Sequence, residues 1–301
     1  MRNLRLKALL AAGTGLLLMP SLMLGGVTGA SAAAPSVLPP APTWQDNFTT
    51  LNTTYWAGRG LDQVIAPRKC GLPVAANSKI SGGKFSAKVA KASSKQKAQI
   101  IAAQKKAFGK KVSCKYGYFT NASLSTDNRF TVNGYGKVET RVKFPISQGM
   151  HFGVWLQSAS GPEIDLIESF GYGKGITNYV HVKQNGKNVR YPHPTKNNYV
   201  LTSETKKKSW WGKYHTYSVE WVPTATPGIA HYTFKADGKV TWQADIPTTR
   251  ADYFLVMSST SSDWELKYLK KPTKGKLKGV KKAKVPSTMY VDYVRVWQWQ
   301  D

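Results

Sequence analysis

The chain has 301 residues, 43 lysines and arginines against 16 acids, and a formal net charge of +27. That excess is more than solubility asks of a chain this size, and it points to an acidic partner: an anionic polysaccharide, a cell-wall polymer or a membrane surface. Nucleic acid is not expected as a partner, because no reader motif is present and the N-terminus resembles an export signal. Arg2, Arg5 and Lys7 precede an apolar run through Leu24, and Ala30-Ser31-Ala32 is a small-residue cleavage site. Glycines interrupt the run and no stop-transfer charges follow it. Residues 1–34 therefore read as a signal peptide rather than a membrane anchor, and a secreted, extracellular protein is expected. Cleavage there would remove three cations and no acid, lowering +27 to +24. VLPPAP makes residues 35–43 a short, stiff, proline-rich lead-in, and residues 44–301 read as one domain.

That domain shows short runs of Val, Tyr, Phe, Thr and Trp bounded by turns at Gly82-Gly83, Asn133-Gly134, Asn185-Gly186 and Asp237-Gly238. No stretch sustains a 3.6-residue helical spacing. The pattern predicts an all-β, two-sheet antiparallel sandwich. The two cysteines, Cys70 and Cys114, are most simply one disulfide in a secreted chain. Free thiols or a metal site are the weaker alternatives, since no zinc-type spacing occurs. No phosphate-cradling glycine loop, Ser-His-Asp spacing or metalloprotease helix is present, so no metal and no cofactor are expected. Ten lysines fall between Lys84 and Lys115 and nine between Lys267 and Lys284; the second group reads as an exposed loop. Lysine-rich loops are often merely solvated, but these two are the candidates for holding an anionic surface.

The stretch from Gly149 to Gly171 carries the chemistry. In HFGVWLQ, His151, Gly153, Trp155 and Gln157 alternate with Phe152, Val154 and Leu156. One face is apolar, and the other mixes an aromatic platform with polar groups, as a sugar cleft would. Trp155 is the binding candidate on that face, with core packing as the competing explanation. In EIDLIE, Glu163 and Asp165 share a face by strand alternation, but Glu168 follows Glu163 at an odd offset and would turn inward. One residue bulged out at Leu166 or Ile167 would bring all three acids to one surface. Three carboxylates on one face repel each other, and folding does not call for them. Two carboxyls flanking one bond is what retaining glycoside hydrolysis requires. Merely solvated acids on an exposed strand are the alternative.

The motif Glu-x-Asp-x-x-Glu, together with WQDNFTTLNTTYW at 44–56, YGKVETRVKFP at 135–145, YHTYSVEW at 214–221 and VDYVRVWQ at 291–298, resembles glycoside hydrolase family 16. The likeness is to its bulged, laminarinase-, agarase- and carrageenase-like members. It implies a concanavalin-like jelly roll with a concave cleft. It also implies Glu163 as nucleophile, Glu168 as proton donor and then base, and Asp165 hydrogen-bonded between them. Neighbouring negative charge and partial burial would keep Glu168 protonated. The family places Glu139 and Arg141 beside the substrate, with a cross-strand ion pair as the alternative, and often has a histidine near the cleft where His181 stands.

Two departures bear on substrate. Pro162 stands before Glu163, where a small or acidic residue is commoner, and must start the strand or lie at an edge. Serines in ADYFLVMSSTSSDWELKY replace the family's glycine-rich loop. The expected function is a secreted, endo-acting retaining glycoside hydrolase that acts as a monomer on β-linked polysaccharide, first of all β-1,3-glucan. A non-catalytic polysaccharide-binding module, or a transglycosylase, on an anionic or cell-wall polysaccharide is the alternative.

Overall fold

A computed structural model describes residues 37–66, 68–171, 175–192, 207–248, 250–267 and 284–300. The expected signal peptide and residues 268–283 of the second lysine cluster lie outside the described residues. Strands are numbered in chain order. One curved sheet runs β12 (Lys187–Tyr191), β11 (Ile176–Gln184), β10 (Glu163–Gly171), β9 (Gln148–Gln157), β16 (Asp252–Thr260), β6 (Phe119–Ser125) and β2 (Ala57–Gly58), all antiparallel. The other runs β15 (Lys239–Pro247), β14 (Ile229–Ala236), β13 (Tyr214–Pro223), β8 (Gly136–Lys143) and β17 (Ser287–Gln298). The far edge of β17 is shared by β1 (Trp44–Asp46) and β5 (Phe85–Lys91), with β4 (Ser78–Ile80) outside β5. Short pairings of β3 (Gly71–Pro73) with β6, of β5 with β6, and of β7 (Val132–Asn133) with β16 knit the edges together.

Alternation explains why the sheets stack. On β8 Val138 and Val142 are fully buried while Lys137, Glu139, Arg141 and Lys143 point out. On β14 Ala230, Tyr232 and Phe234 go in. From the curved sheet Phe152, Val154, Leu156, Ile164, Leu255 and Met257 meet them in one apolar core. Hairpins close where the sequence placed them. Asn185-Gly186 and Asp237-Gly238 both take positive φ, 49° and 73° and then 47° and 77°, the primed turn that matches strand twist. The lead-in is not free: Val37 pairs with Gln300, and Thr43 bonds to Val296.

The expectation that no stretch sustains a helical spacing misses one long helix. Within the first lysine cluster, α1 (Ser94–Phe108) runs for 15 residues. Its periodicity is faint because only Ile100 and Gln104 are buried, the rest being mostly lysine, glutamine and alanine. The signals that define it are terminal. Ser93 and Gln96 form a reciprocal capping box, and Gly109 at φ 68° closes the last turn. The helix packs Ile100, Ala103 and Phe108 on Val64 and Leu72. A second helix, α2 (Asp263–Lys267), follows β16.

Cys70 and Cys114 are bonded, with Cα atoms 5.7 Å apart. Gln104, fully buried, adds a polar clasp beside the disulfide, donating to the Lys69 carbonyl at 2.8 Å and accepting from the Val112 amide at 3.0 Å. A cross-link closing 44 residues stabilises by about 4 kcal/mol on the chain-entropy account. Replacing both cysteines by serine should therefore lower the guanidinium unfolding midpoint by a large fraction of the total stability. An unchanged midpoint would show that the helix and its clasp hold the segment alone.

Candidate active site

Strand β10 begins directly after Pro162, so the proline sits where its missing N–H costs no ladder bond. Glu163 pairs with Gln157 on β9 and His181 on β11, and Asp165 pairs with Tyr179. The register then slips by one. From Asp165 to Glu168 is three residues, whereas their partners Tyr179 and Thr177 are two apart. On the other side Ile164 to Ile167 spans Leu156 to Val154. This is the expected bulge. Leu166 and Ile167 both go into the core, and the buried Asn178 side chain donates to the Leu166 carbonyl that the bulge frees.

Glu163, Asp165 and Glu168 consequently line one cleft of about 480 Å³. Trp155 lies on its floor, where Gly153 makes room: a Cβ there would stand 3.3 Å from the indole. Arg59 donates to Gln157 at 2.7 Å on one wall. Asp165 is 2% exposed, with its Oδ2 3.0 Å from Nε2 of His181. Glu168 has Thr177 Oγ1 3.5 Å from its Oε2. Nε2 of His151 lies 2.6 Å from its Oε1, too bent to complete a hydrogen bond, and no described acceptor completes one at that buried nitrogen.

The protonation order differs from the one expected. Burial raises Asp165 well above the usual carboxylate range. The charges of Glu168 and Glu163, and a hydrogen bond to Glu163, push the same way against a smaller pull from Arg190. Burial acts to raise Glu168 too, but the His151 ring against it, together with Arg68 and His181, outweighs it and holds Glu168 below its ordinary value. The groups that face Glu168 from other elements, not its acidic neighbours, set its state. His181 is lowered chiefly by burial, although Glu163 and Glu168 act against that. Of these acids, Asp165 is the one whose protonated form its surroundings favour.

Glu139 and Arg141 are not at the cleft. They project from the outward face of the opposite sheet, where Tyr293 donates to Glu139 at 3.0 Å and Arg141 donates to Asp292 at 2.6 Å. Parity on β8 dictates this, because Val138 and Val142 fill the core and their neighbours must face solvent. The cross-strand ion-pair alternative holds for both, since Glu139 also faces Arg295 of β17 at 3.8 Å. Trp211 is buried against Phe144, and Trp210 stacks on His215 at 3.6 Å, so this pair caps the sandwich. Arg59, Arg68 and Glu265, all at or behind the cleft, carry no local signal, since Arg68 and Glu265 meet across 197 residues. His151 was legible only as a polar position on the alternating face.

Ligand atoms of Glu163, Asp165 and His181 lie within 4.8 Å of one another, the one such grouping among the described residues. Asp165 already shares hydrogen bonds with both partners, so we read a proton-sharing set rather than a metal cradle. Residues 77–259 match the profile of glycosyl hydrolases family 16. The chain belongs to that family. A beta-glucanase of Rhodothermus marinus is 24% identical over 207 residues, 60% of this chain and 63% of that protein. The match thus spans less than two thirds of the relative's length. The catalytic domain of an endo-1,3-beta-glucanase (laminarinase) from Thermotoga petrophila superposes with a TM-score of 0.58 at 16% identity, covering 88% of this chain and all of that one. The endo-beta-1,3-glucanase of Pyrococcus furiosus gives 0.57 at 14%, covering 86% and 95%. A structure described with endo-acting O-glycanases of human gut microbes that initiate mucin breakdown gives 0.58 at 17%, covering 88% and 94%. At these identities the likeness to the solved structures is one of fold.

The opposite shifts make a stability prediction. A raised carboxyl contributes stability that is present below its unfolded value and lost as pH rises through its folded value. Asp165→Asn should therefore be increasingly more stable than the parent as pH rises from acid to neutral, read from denaturant midpoints across a pH series. A pH-independent difference would place the resting proton elsewhere.

Proposed function

We propose that the protein is an exported, endo-acting hydrolase that cleaves β-1,3-linked glucan with retention of anomeric configuration. The observation that carries this reading is the bulge in β10, which sets Glu163, Asp165 and Glu168 on one cleft face beside Trp155. Glu163 attacks the anomeric carbon as Glu168 protonates the departing glycosidic oxygen, giving a glycosyl ester and a shortened chain. Glu168, now ionised, takes a proton from water; the hydroxide equivalent displaces Glu163 and restores both carboxyls. Asp165 hydrogen-bonds Glu163 and yields less repulsion once the ester neutralises it. The depressed Glu168 suits the second step as a base and makes the first favour acid pH. The activities named for the relatives support β-1,3-glucan as the first substrate. The disulfide fits an oxidising compartment, which supports export.

A binding module would have no use for a bulge that gathers three repelling acids. Glu163→Gln should bind laminarin while losing turnover by on the order of a thousandfold or more. Glu168→Ala should lose about 10²- to 10⁴-fold on laminarin and far less on an aryl glycoside whose leaving group needs no proton. Near-parental turnover in Glu163→Gln would sink the assignment. Elongated products without new reducing ends would mark a transglycosylase.

A second element of the reading concerns the surface. Residues 63–126 contain no acid and 13 cations. Lys95, Lys97, Lys105 and Lys106 stand exposed on α1, and the ion pairs of the described residues involve none of them. A polyanionic glycan fits this face by charge. Converting these four lysines to glutamine should weaken co-sedimentation with an acidic polysaccharide several-fold at low salt, flatten its salt dependence, and leave turnover of short neutral oligosaccharides unchanged. Binding that ignores both salt and the variant would reduce the face to a solvated one.

A further inference from the structure

Behind Glu168 stands a chain of contacts that the reaction above leaves unused. Arg68, on the loop before β3, places Nε 2.5 Å from Oε1 of Glu265 and Nη2 2.9 Å from Nδ1 of His151. His151 then meets Glu168 at 2.6 Å. Each member is fixed. Glu265, 6% exposed, accepts from the hydroxyls of Thr260 and Ser262 at 3.1 and 3.0 Å. The Arg68 guanidinium lies 4.8 Å over Trp264, and the His151 ring stacks on Phe170 at 4.5 Å and 5°.

A guanidinium has five N–H donors and no acceptor. The His151 nitrogen facing it must offer a lone pair, so the ring proton resides on Nε2, the atom that faces Glu168. We propose that Arg68 and His151 are positioning residues for the acid: Arg68 fixes the His151 tautomer, and His151 occupies Oε1 of Glu168, leaving Oε2 to carry the transferable proton. The inference rests on Glu168 being the proton donor. The other charged groups around the acid set are Arg59 from the β2 end, Glu163 and Asp165 on β10, His181 on β11 and Arg190 on β12. Of the charged groups, only Arg68 and Glu168 reach the ring nitrogens of His151 among the described residues. An N–H turned towards a carboxylate at 2.6 Å favours its ionised form, so the pair holds the alkaline limb of activity at lower pH than Glu168 alone would.

Two measurements test this. The first is ¹⁵N NMR of histidine-labelled protein at neutral pH, which needs no activity. The parent should show His151 protonated on Nε2 alone, and Arg68→Met/Glu265→Gln, which leaves no buried carboxylate unpaired, should redistribute the proton between the nitrogens. The second is the pH dependence of kcat/KM on laminarin. His151→Phe keeps the stack on Phe170 but removes the donor, and its alkaline limb should move up by about one unit. His151→Gln sets an amide N–H near the place of Nε2 and should return the limb towards the parent. A proton on Nδ1, an imidazolium in the parent, or equal rate losses in both His151 variants with the limb unmoved would overturn the proposal. If the parent turns over neither glucan nor aryl glycoside, the proposed function fails while the NMR still decides the tautomer.

Discussion

In a regular strand Glu163 and Glu168 would point to opposite faces, and Glu168 would enter the sandwich core as a charge. An unpaired carboxylate there costs several kcal/mol, so the strand either loses the residue or breaks its register. Here the register breaks. Two apolar side chains in succession, Leu166 and Ile167, go inward, the freed Leu166 carbonyl is taken by Asn178, and Glu168 emerges beside Glu163. The core gains a side chain and the cleft gains an acid from the same displacement. Gathering three carboxylates is unfavourable in itself, and it persists because the surrounding ladder and core determine it from both sides.

The cleft needs a wall as well as a floor, and the wall is built from a segment held in place by its neighbours. The segment from Arg59 to Pro73 contributes only the short strand β3, yet it lines the site. It is held from behind by α1 through Val64 and Leu72, by the Gln104 clasp, and by the disulfide at Cys70. Gly71 lets the wall approach the floor, since a Cβ there would fall 2.6 Å from the Ser261 carbonyl. The helix thus packs behind the loop that carries Arg68, so a basic, solvent-facing segment braces the residue that reaches towards the acid.

What was legible in the sequence was what depends on local parity. The alternation of HFGVWLQ, the acids of EIDLIE, the need for a bulge and the two hairpin turns are properties of adjacent residues, and the structure places them accordingly. The same parity argument applied to β8 gives the right face for Glu139 and Arg141 but cannot say which sheet that face belongs to. Resemblance put them at the substrate, and topology puts them on the far side. The helix was missed because its buried stripe is only Ile100 and Gln104, leaving the capping residues as the sole signal. Arg68 and Glu265 were invisible for a plainer reason: their meaning comes from a contact that exists only after both sheets close.

The protonation of the acids shows why the motif alone misleads. Asp165 and Glu168 stand three residues apart on one strand, and each has the other and Glu163 as negative neighbours. Counting charges in the motif would raise both. Burial also acts to raise both, so neither burial nor the motif separates them. The difference lies in what reaches across from other strands. Asp165 faces His181, which burial keeps towards its neutral form, and it shares a hydrogen bond with Glu163. Glu168 faces His151 and, behind it, an arginine committed to Glu265. One carboxyl is therefore driven towards the acid and the other towards the anion by contacts from β11 in one case and from β9 and the loop before β3 in the other. The motif supplies the carboxyls, and the closed sandwich assigns them their protons.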